Sequence, residues 1–407
     1  MTATKKDIRV LYVKRLTAVD TSERDDLLKK LEEERQLRRR VQNSEIKLRL
    51  AYNLALAELN ILKEELVRVQ SKKMQEKQFH LSDIQFVRAV STDSANQFRG
   101  IDFDNYLEMF AVGFSKNTSS GKNFGLAKVS WMDSGRIDTI NNLHGQLIKS
   151  IKCSPFGDST VLTTAFDRKL KLSSLQTNST LLSYNLDSPG WSCCFDPEDR
   201  NNIFVGMGSG EVCMFDIRNT REAIWKHSTL SVNGASLPVH SISVDASEKG
   251  RRIIAGNLLG PISLHVDEQG QLNAHTAGDP APGQCSSFVS DRKTKSWIMS
   301  VRGNINQHIL GFYDTNGFNV KIKYNCEAAQ TSMVRPSILD FEEQALIAYP
   351  DGPNMRVSVM NPVGEEMGQI ILRTNFVFPV LDTVLCRVND KIITGLLSER
   401  QLNLFSS

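Results

Sequence analysis

The chain has 407 residues, 40% of them hydrophobic and 23% charged, and a formal net charge of +3. Collagenous and wholly disordered classes are thereby excluded, and there is room for two or three folded units. No apolar run reaches the roughly 18 residues of a bilayer span, and charged residues occupy the start of the chain where a signal peptide needs an apolar stretch. That predicts a protein of the nucleus or cytosol with no membrane contact.

Punctuation residues are unevenly spread. The first glycine is Gly100 and the first proline Pro155, and residues 1–80 hold 19 Lys and Arg against 13 Asp and Glu, a net of +6. Two architectures therefore meet near residue 80. The arm opens with Ile8-Arg9-Val10-Leu11-Tyr12-Val13, a run that suits a strand but has no neighbouring strand to pair with. Asp20, Thr21 and Ser22 then offer capping side chains, with Ser22 and Asp25 at capping-box spacing, so a helix starts here.

Spacings of four and three follow through Leu27, Leu31, Glu34, Arg38, Val41, Glu45, Leu48, Tyr52, Ala55, Leu59, Leu62, Leu66 and Val69. This seam, with no Gly or Pro in it, is about 65 Å long at the rise of an α-helix and predicts a coiled coil over residues 21–78. Its polar positions fall in the first half, so the stretch from Leu48 to Val69 should grip a second copy most firmly. Arg38 and the neighbouring glutamates could pair across the seam and set its register. The clusters Arg38-Arg39-Arg40 and Lys72-Lys73 read as a solvated helix face rather than a direct DNA contact.

From residue 81 onward the pattern turns to short alternating strands between Gly, Asn, Asp and Ser. Inner strands are expected near Gly100-Ile101-Asp102, Ser150-Ile151-Lys152, Trp191-Ser192-Cys193, Ser241-Ile242-Ser243, Ser286-Ser287-Phe288, Ser337-Ile338-Leu339 and Asp382-Thr383-Val384. Their period is that of four-stranded propeller blades. The expected fold is an all-β, seven-bladed WD-repeat-like propeller over 81–407, preceded by the long coiled coil. Phe215-Asp216 stands where the name-giving Trp-Asp pair would be, and His144-Gly145 is a reversed Gly-His element. His144, Asp167, Trp191 and Asp216 are the structural blade positions. Ile84–Val90 is placed to complete the last blade and close the ring.

Chemistry is sparse. There is no phosphate-binding loop and no H-E-x-x-H, and Gly206-Met207-Gly208-Ser209-Gly210 reads as a hairpin turn. Seven cysteines (Cys153, Cys193, Cys194, Cys213, Cys285, Cys326, Cys386) contain no C-x-x-C pair and read as reduced, buried thiols. His144 and Asp167 could mimic an acid-base pair, but such residues more commonly tie turns to strands in propellers. No catalytic, metal or cofactor-binding residue is assigned. A coiled coil joined to a propeller reads as a recognition platform.

Two stretches carry a resemblance. KKDIRVLYVKRLTAVDTSERDDLLKKLEEERQLRRRVQ resembles the segment after the RING finger in RING-finger and WD-repeat ubiquitin ligases of the replication-stress and interstrand-crosslink-repair pathway. Residues 143–220, from LHGQLIKSIKCSPFGDSTVLTTAFDRKLKL to FVGMGSGEVCMFDIRNT, resemble the propeller of the same family. The resemblance implies a nuclear ligase whose propeller is recruited to replication protein A on single-stranded DNA. It implies ubiquitin transfer to that protein and to the recombinase at stalled forks. The RING would hold two zinc ions and engage a ubiquitin-conjugating enzyme.

No cysteine precedes Cys153 and no histidine precedes His80, so the zinc ligands of a RING cannot come from the arm. The expectation is a chain that lacks its RING, whether truncated or a short isoform, with residues 1–20 as the remnant of the RING exit. It should carry no zinc and be inactive alone. The alternative reading is a non-enzymatic scaffold that dimerises through its coiled coil.

Overall fold

The computed structural model describes residues 21–76, 84–92, 96–119, 121–133, 137–229, 236–247, 250–267, 272–277, 282–304, 306–314, 317–326, 333–352, 354–374, 376 and 378–407. The strand expected at Ile8–Val13, and the exit segment 1–20 around it, lie outside them. The backbone divides into two units, 1–79 and 80–407.

The first unit carries α1 (Thr21–Glu76), an unbroken helix of 56 residues. Nothing in its sequence interrupts it, because Gly and Pro, the two residues that cost a helix most, are absent. Along the expected seam Leu48, Tyr52 and Leu59 are exposed on the single chain, at 72%, 66% and 52%. Ala55 is exposed as well, while the side chains of Leu62 and Leu66 fall outside the described residues. Arg38 does not reach across a seam here. Its guanidinium donates to Glu34 one turn earlier on the same helix, at 2.8 Å. The coiled coil expected over 21–78 is not shown: this one helix has no second helix to pair with among the described residues.

Among the described residues of the second unit, 28 strands form seven four-stranded antiparallel sheets. The first strand, β1 (Gln85–Ser91), belongs to the last sheet. Blade 1 comprises β2 (Asn96–Asp104), β3 (Met109–Thr118), β4 (Gly121–Ser130) and β5 (Ile137–His144). Blade 2 comprises β6 (Ile148–Cys153), β7 (Thr160–Ala165), β8 (Lys169–Ser174) and β9 (Ser179–Asn185). Blade 3 comprises β10 (Gly190–Phe195), β11 (Asn202–Met207), β12 (Glu211–Asp216) and β13 (Trp225–Ser228). Blade 4 comprises β14 (Ser241–Ser247), β15 (Gly250–Asn257), β16 (Gly260–Val266) and β17 (Leu272–Ala277). Blade 5 comprises β18 (Gln284–Ser290), β19 (Ser296–Arg302), β20 (Gln307–Tyr313) and β21 (Phe318–Asn325). Blade 6 comprises β22 (Ser337–Phe341), β23 (Gln344–Asp351), β24 (Asn354–Met360) and β25 (Glu366–Leu372). Blade 7 comprises β26 (Val380–Val388), β27 (Lys391–Ser398), β28 (Gln401–Ser406) and β1.

The first strands β2, β6, β10, β14, β18, β22 and β26 contact one another in a closed ring, so the sheets form a seven-bladed propeller. Each expected inner strand is one of these seven. β1 runs antiparallel to β28, with Gln85 opposite Ser406 and Ser91 opposite Gln401. The Phe86 ring meets Phe405 edge-on, with centroids 5.6 Å apart. This pairing covers the edge of β28 and gives the last blade the same four strands as the others, with β1 outermost.

Apolar clusters fill the gaps between blades rather than the blades themselves. One joins Phe98, Phe103 and Phe110 of blade 1 to Val384, Ile393 and Leu397 of blade 7. Another joins Leu162, Leu170 and Tyr184 of blade 2 to Ile203, Val205 and Phe215 of blade 3. Each such side chain contributes roughly 1.5–3 kcal/mol on burial, and all of it depends on neighbouring blades meeting. Gly395 shows how close they come, since a Cβ there would lie 2.7 Å from the Phe110 ring.

Polar side chains on the inner strands bond to the next blade in turn. Asp102 accepts from the Cys153 amide at 2.7 Å, and Ser150 from the Cys193 amide at 3.3 Å. Ser192 donates to the Val239 carbonyl at 2.7 Å, and Ser241 accepts from the Phe288 amide at 3.0 Å. Asp382 on the last blade accepts from the Ile101 amide of the first at 3.2 Å. Ion pairs between blades add to this, with Arg251 on Asp196, Lys295 on Asp245, and Lys293 on Asp340.

Candidate functional site at the central channel

Seven strand starts converge on the axis of the ring, and between them lies a cavity of about 270 Å³. Its lining includes Asp102, Lys152, Ser192, Ser243 and Thr383. Lys152 stands half exposed within it, 3.7 Å from Asp102.

Near the start of the inner strands lies a second, much smaller recess of about 20 Å³, the mouth, bordered by Arg99, Lys149, Trp191, His240, Arg335 and Asp382. The Lys149 ammonium sits 4.5 Å from the centre of the Trp191 ring and 5.1 Å from that of Phe166. The two rings pack edge to face at 5.5 Å, so the cation lies against two aromatic surfaces. Burial, followed by the Arg335 and Arg99 guanidinium groups, pulls the Lys149 ammonium down to about 7. Arg335 donates to the Lys149 carbonyl and lies 3.5 Å from Asp382. Burial and the nearby Arg335 also lower Arg99, against an opposing pull from Asp382 and Glu399.

His240 is buried beside this mouth. Its Nδ1 lies 2.8 Å from Ser241 Oγ, which itself accepts from the Phe288 amide. Nε2 makes no hydrogen bond of normal geometry. Burial pulls His240 down to about 4, with the Asn257 and Cys285 backbones opposing only in part, so the ring is neutral at physiological pH.

The sequence-predicted positions fall elsewhere. His144, at the end of β5, meets Asp167 in the turn between β7 and β8, with Nδ1 at 2.9 Å from Oδ2. Its Nε2 lies 2.9 Å from Thr163 Oγ1. Asp167 also accepts from the amides of Gly145 at 2.9 Å and Lys169 at 3.2 Å. Burial opposes the Asp167 charge, yet these donors, led by His144, hold its carboxyl below the usual range. The group ties a loop to a turn. Asp216 ends β12 and holds Arg218 through contacts of 2.9 Å and 2.6 Å, which keep its carboxyl low. Only Trp191 of the four lies at the mouth.

The cysteine pair on β10 is buried, and burial pushes the Cys193 thiol up to about 12 and Cys194 well above its ordinary value. Neither is a thiolate nucleophile. No group of three His, Cys, Asp or Glu able to hold a metal occurs among the described residues. Sequence reasoning missed Arg99, Lys149 and His240. Each directly precedes a residue at which the pattern places an inner strand, Gly100, Ser150 and Ser241, and that position was the available signal; Arg99 and Lys149 lie within β2 and β6, and His240 just before β14.

Comparison with known proteins gives the geometry its relatives. The E3 ubiquitin-protein ligase RFWD3 WD40 domain family matches residues 84–406, which is the whole propeller. A protein named E3 ubiquitin-protein ligase RFWD3 from Ailuropoda melanoleuca is 22% identical over 451 aligned positions, covering 99% of this chain and 56% of that protein. Proteins of the same name from Homo sapiens and Mus musculus are 25% and 26% identical, over 59% and 54% of this chain and 34% and 31% of their own lengths. The chain thus spans about half the length, or less, of the curated relatives it matches. The chain belongs to the E3 ubiquitin-protein ligase RFWD3 WD40 domain family.

Proposed function

We propose that this chain is the substrate-recognition and assembly part of a RING-type ubiquitin-protein ligase acting in DNA repair at stalled replication forks. The single observation that carries the reading is the family match along the closed propeller, residues 84–406. A propeller presents loops from every blade around one axis, and loops are where binding residues concentrate. Its targets in this reading are replication protein A and the recombinase, and its compartment is the nucleus.

In this reading α1 gathers copies of the chain into a coiled coil through its exposed apolar stripe. Exposed Leu48, Tyr52 and Leu59 support that role, since a helix of this length with an uncovered leucine stripe gains by pairing. Zinc and the ubiquitin-conjugating enzyme belong to a RING, for which the described residues offer no ligand set. The chain contributes recognition and not transfer.

The test is capture of purified replication protein A by the immobilised 407-residue chain, followed by a transfer assay with a conjugating enzyme. Capture without ubiquitin chain formation is expected. Absence of capture would remove the proposed target, and ubiquitin chains formed by this chain alone would remove the division of labour.

A further inference from the structure

The helix α1 carries a second apolar face. Between residues 46 and 61 the pairing face holds Leu48, Tyr52, Ala55 and Leu59. Ile46, Leu50, Leu54, Ala57 and Ile61 fall on the other side of the helix, roughly 170° away at about 3.6 residues per turn. Their spacings of four, four, three and four keep them in one stripe. Ile46, Leu50, Leu54 and Ile61 are exposed at 52%, 58%, 63% and 59%. Polar residues separate the two faces, with Lys47 and Glu58 along one border and Arg49 and Asn53 along the other. In a two-stranded coiled coil the positions of the second stripe are the ones turned to water, where polar residues belong. Pairing through Leu48 and Leu59 therefore leaves this stripe bare, and a helix that is apolar on both sides is one covered from both sides.

We propose that the outer stripe of α1 is a docking face for the outer stripe of a second copy, so that coiled-coil pairs stack antiparallel into a layer that grows beyond two chains. The inference rests on the reading of α1 as a coiled coil and adds what its pairs do next. Charge selects both the occupant and its direction. Antiparallel stacking about the middle of the stripe sets the Lys47 border of one copy against the same border of the other, which brings Lys47 alongside Glu58 twice over. Parallel stacking would instead set Lys47 beside Arg49, two like charges, and Arg49 is already held by Glu45 on its own helix at 3.2 Å. Because the two faces are almost opposite, stacking does not close on itself, and each added pair presents a new outer stripe. The pairing seam is the longer face, from Leu27 to Val69, so pairs form first and the layer second.

The test is sedimentation equilibrium of the full chain over a rising concentration series. The mass of the parent should pass that of two chains and keep climbing without a plateau. Leu50→Gln combined with Leu54→Gln keeps good helix formers in place and should hold the mass at two chains, with the propeller's melting temperature unchanged. Lys47→Glu is the second variant. It sets glutamates against each other across the stacked border and should weaken growth beyond two chains at least threefold at low salt, and less at high salt. Growth that either variant leaves unaltered overturns the inference. A parent that stops at two chains also overturns it while the coiled coil stands, and assigns the outer stripe to a helix of another protein. A parent of single chains removes the coiled coil and the layer together.

Discussion

His144 and Asp167 lie 23 residues apart in sequence and meet at 2.9 Å, joining the end of blade 1 to a turn in blade 2. Asp167→Ala would leave the His144 ring nitrogen and the Gly145 and Lys169 amides without their acceptor. The cost should be about 1–3 kcal/mol, the usual range for orphaned buried donors. Thermal unfolding of the variant should begin several degrees lower. A midpoint within one degree of the parent would mean that the network is not stabilising.

A second prediction concerns the apolar stripe of α1. Replacing Leu48 and Leu59 together by Asp places charge in the stretch expected to pair most firmly. Sedimentation equilibrium should then show a monomer where the parent chain is associated, with the propeller's melting unaltered. A parent chain that is already monomeric at high concentration refutes the coiled coil.

Lys149 makes the propeller's stability depend on alkaline pH. Its ammonium titrates near 7 when folded and near the ordinary 10.5 when unfolded. Between those values the unfolded chain holds more protons, so stability rises with pH across that window. The groups facing Lys149 are Arg335, Arg99, His240 and the Phe166 and Trp191 rings. His240 stays neutral across that window. Lys149→Met should flatten the rise in melting temperature between pH 7 and 9, a slope reflecting up to a few kcal/mol by linkage. An unchanged slope would show that Lys149 is not the group responsible.

Acid should act through His240 and His308. His308 is buried between Ser300 Oγ at 3.0 Å and the Pro350 carbonyl at 2.7 Å, and burial pulls both histidines down to about 4. The unfolded chain protonates them near 6.5, so stability falls as pH drops from 6.5 towards 4. The loss should reach about 3 kcal/mol for each ring at most. Melting curves of His308→Gln should show a shallower decline over that range, and equal declines would argue that carboxylates dominate.

Much of the fold was readable from pattern. Ser241 and Ser337 are the first residues of two inner strands, as the repeat spacing indicated, and Ile84–Val90 lies over the strand that completes the last blade. Local alternation and turn residues dictate such features, and both survive in a single sequence. The mouth was not readable in that way. Arg99, Lys149, His240 and Arg335 come from four different blades and meet only once the ring has closed. None carries a local motif. Arg38 differs for another reason: its helix offers Glu34 one turn away, and a near partner on the same helix needs no second chain.

The pairing of β1 with β28 ties the earliest strand of the propeller to the last one synthesised. On the ribosome, β1 must therefore wait unpaired while every intervening blade emerges, and chaperones have the whole of that interval in which to shield it. A message that stops before the codons for β28 would leave not a slightly shorter ring but an unlatched one, with two sticky edges facing the cell.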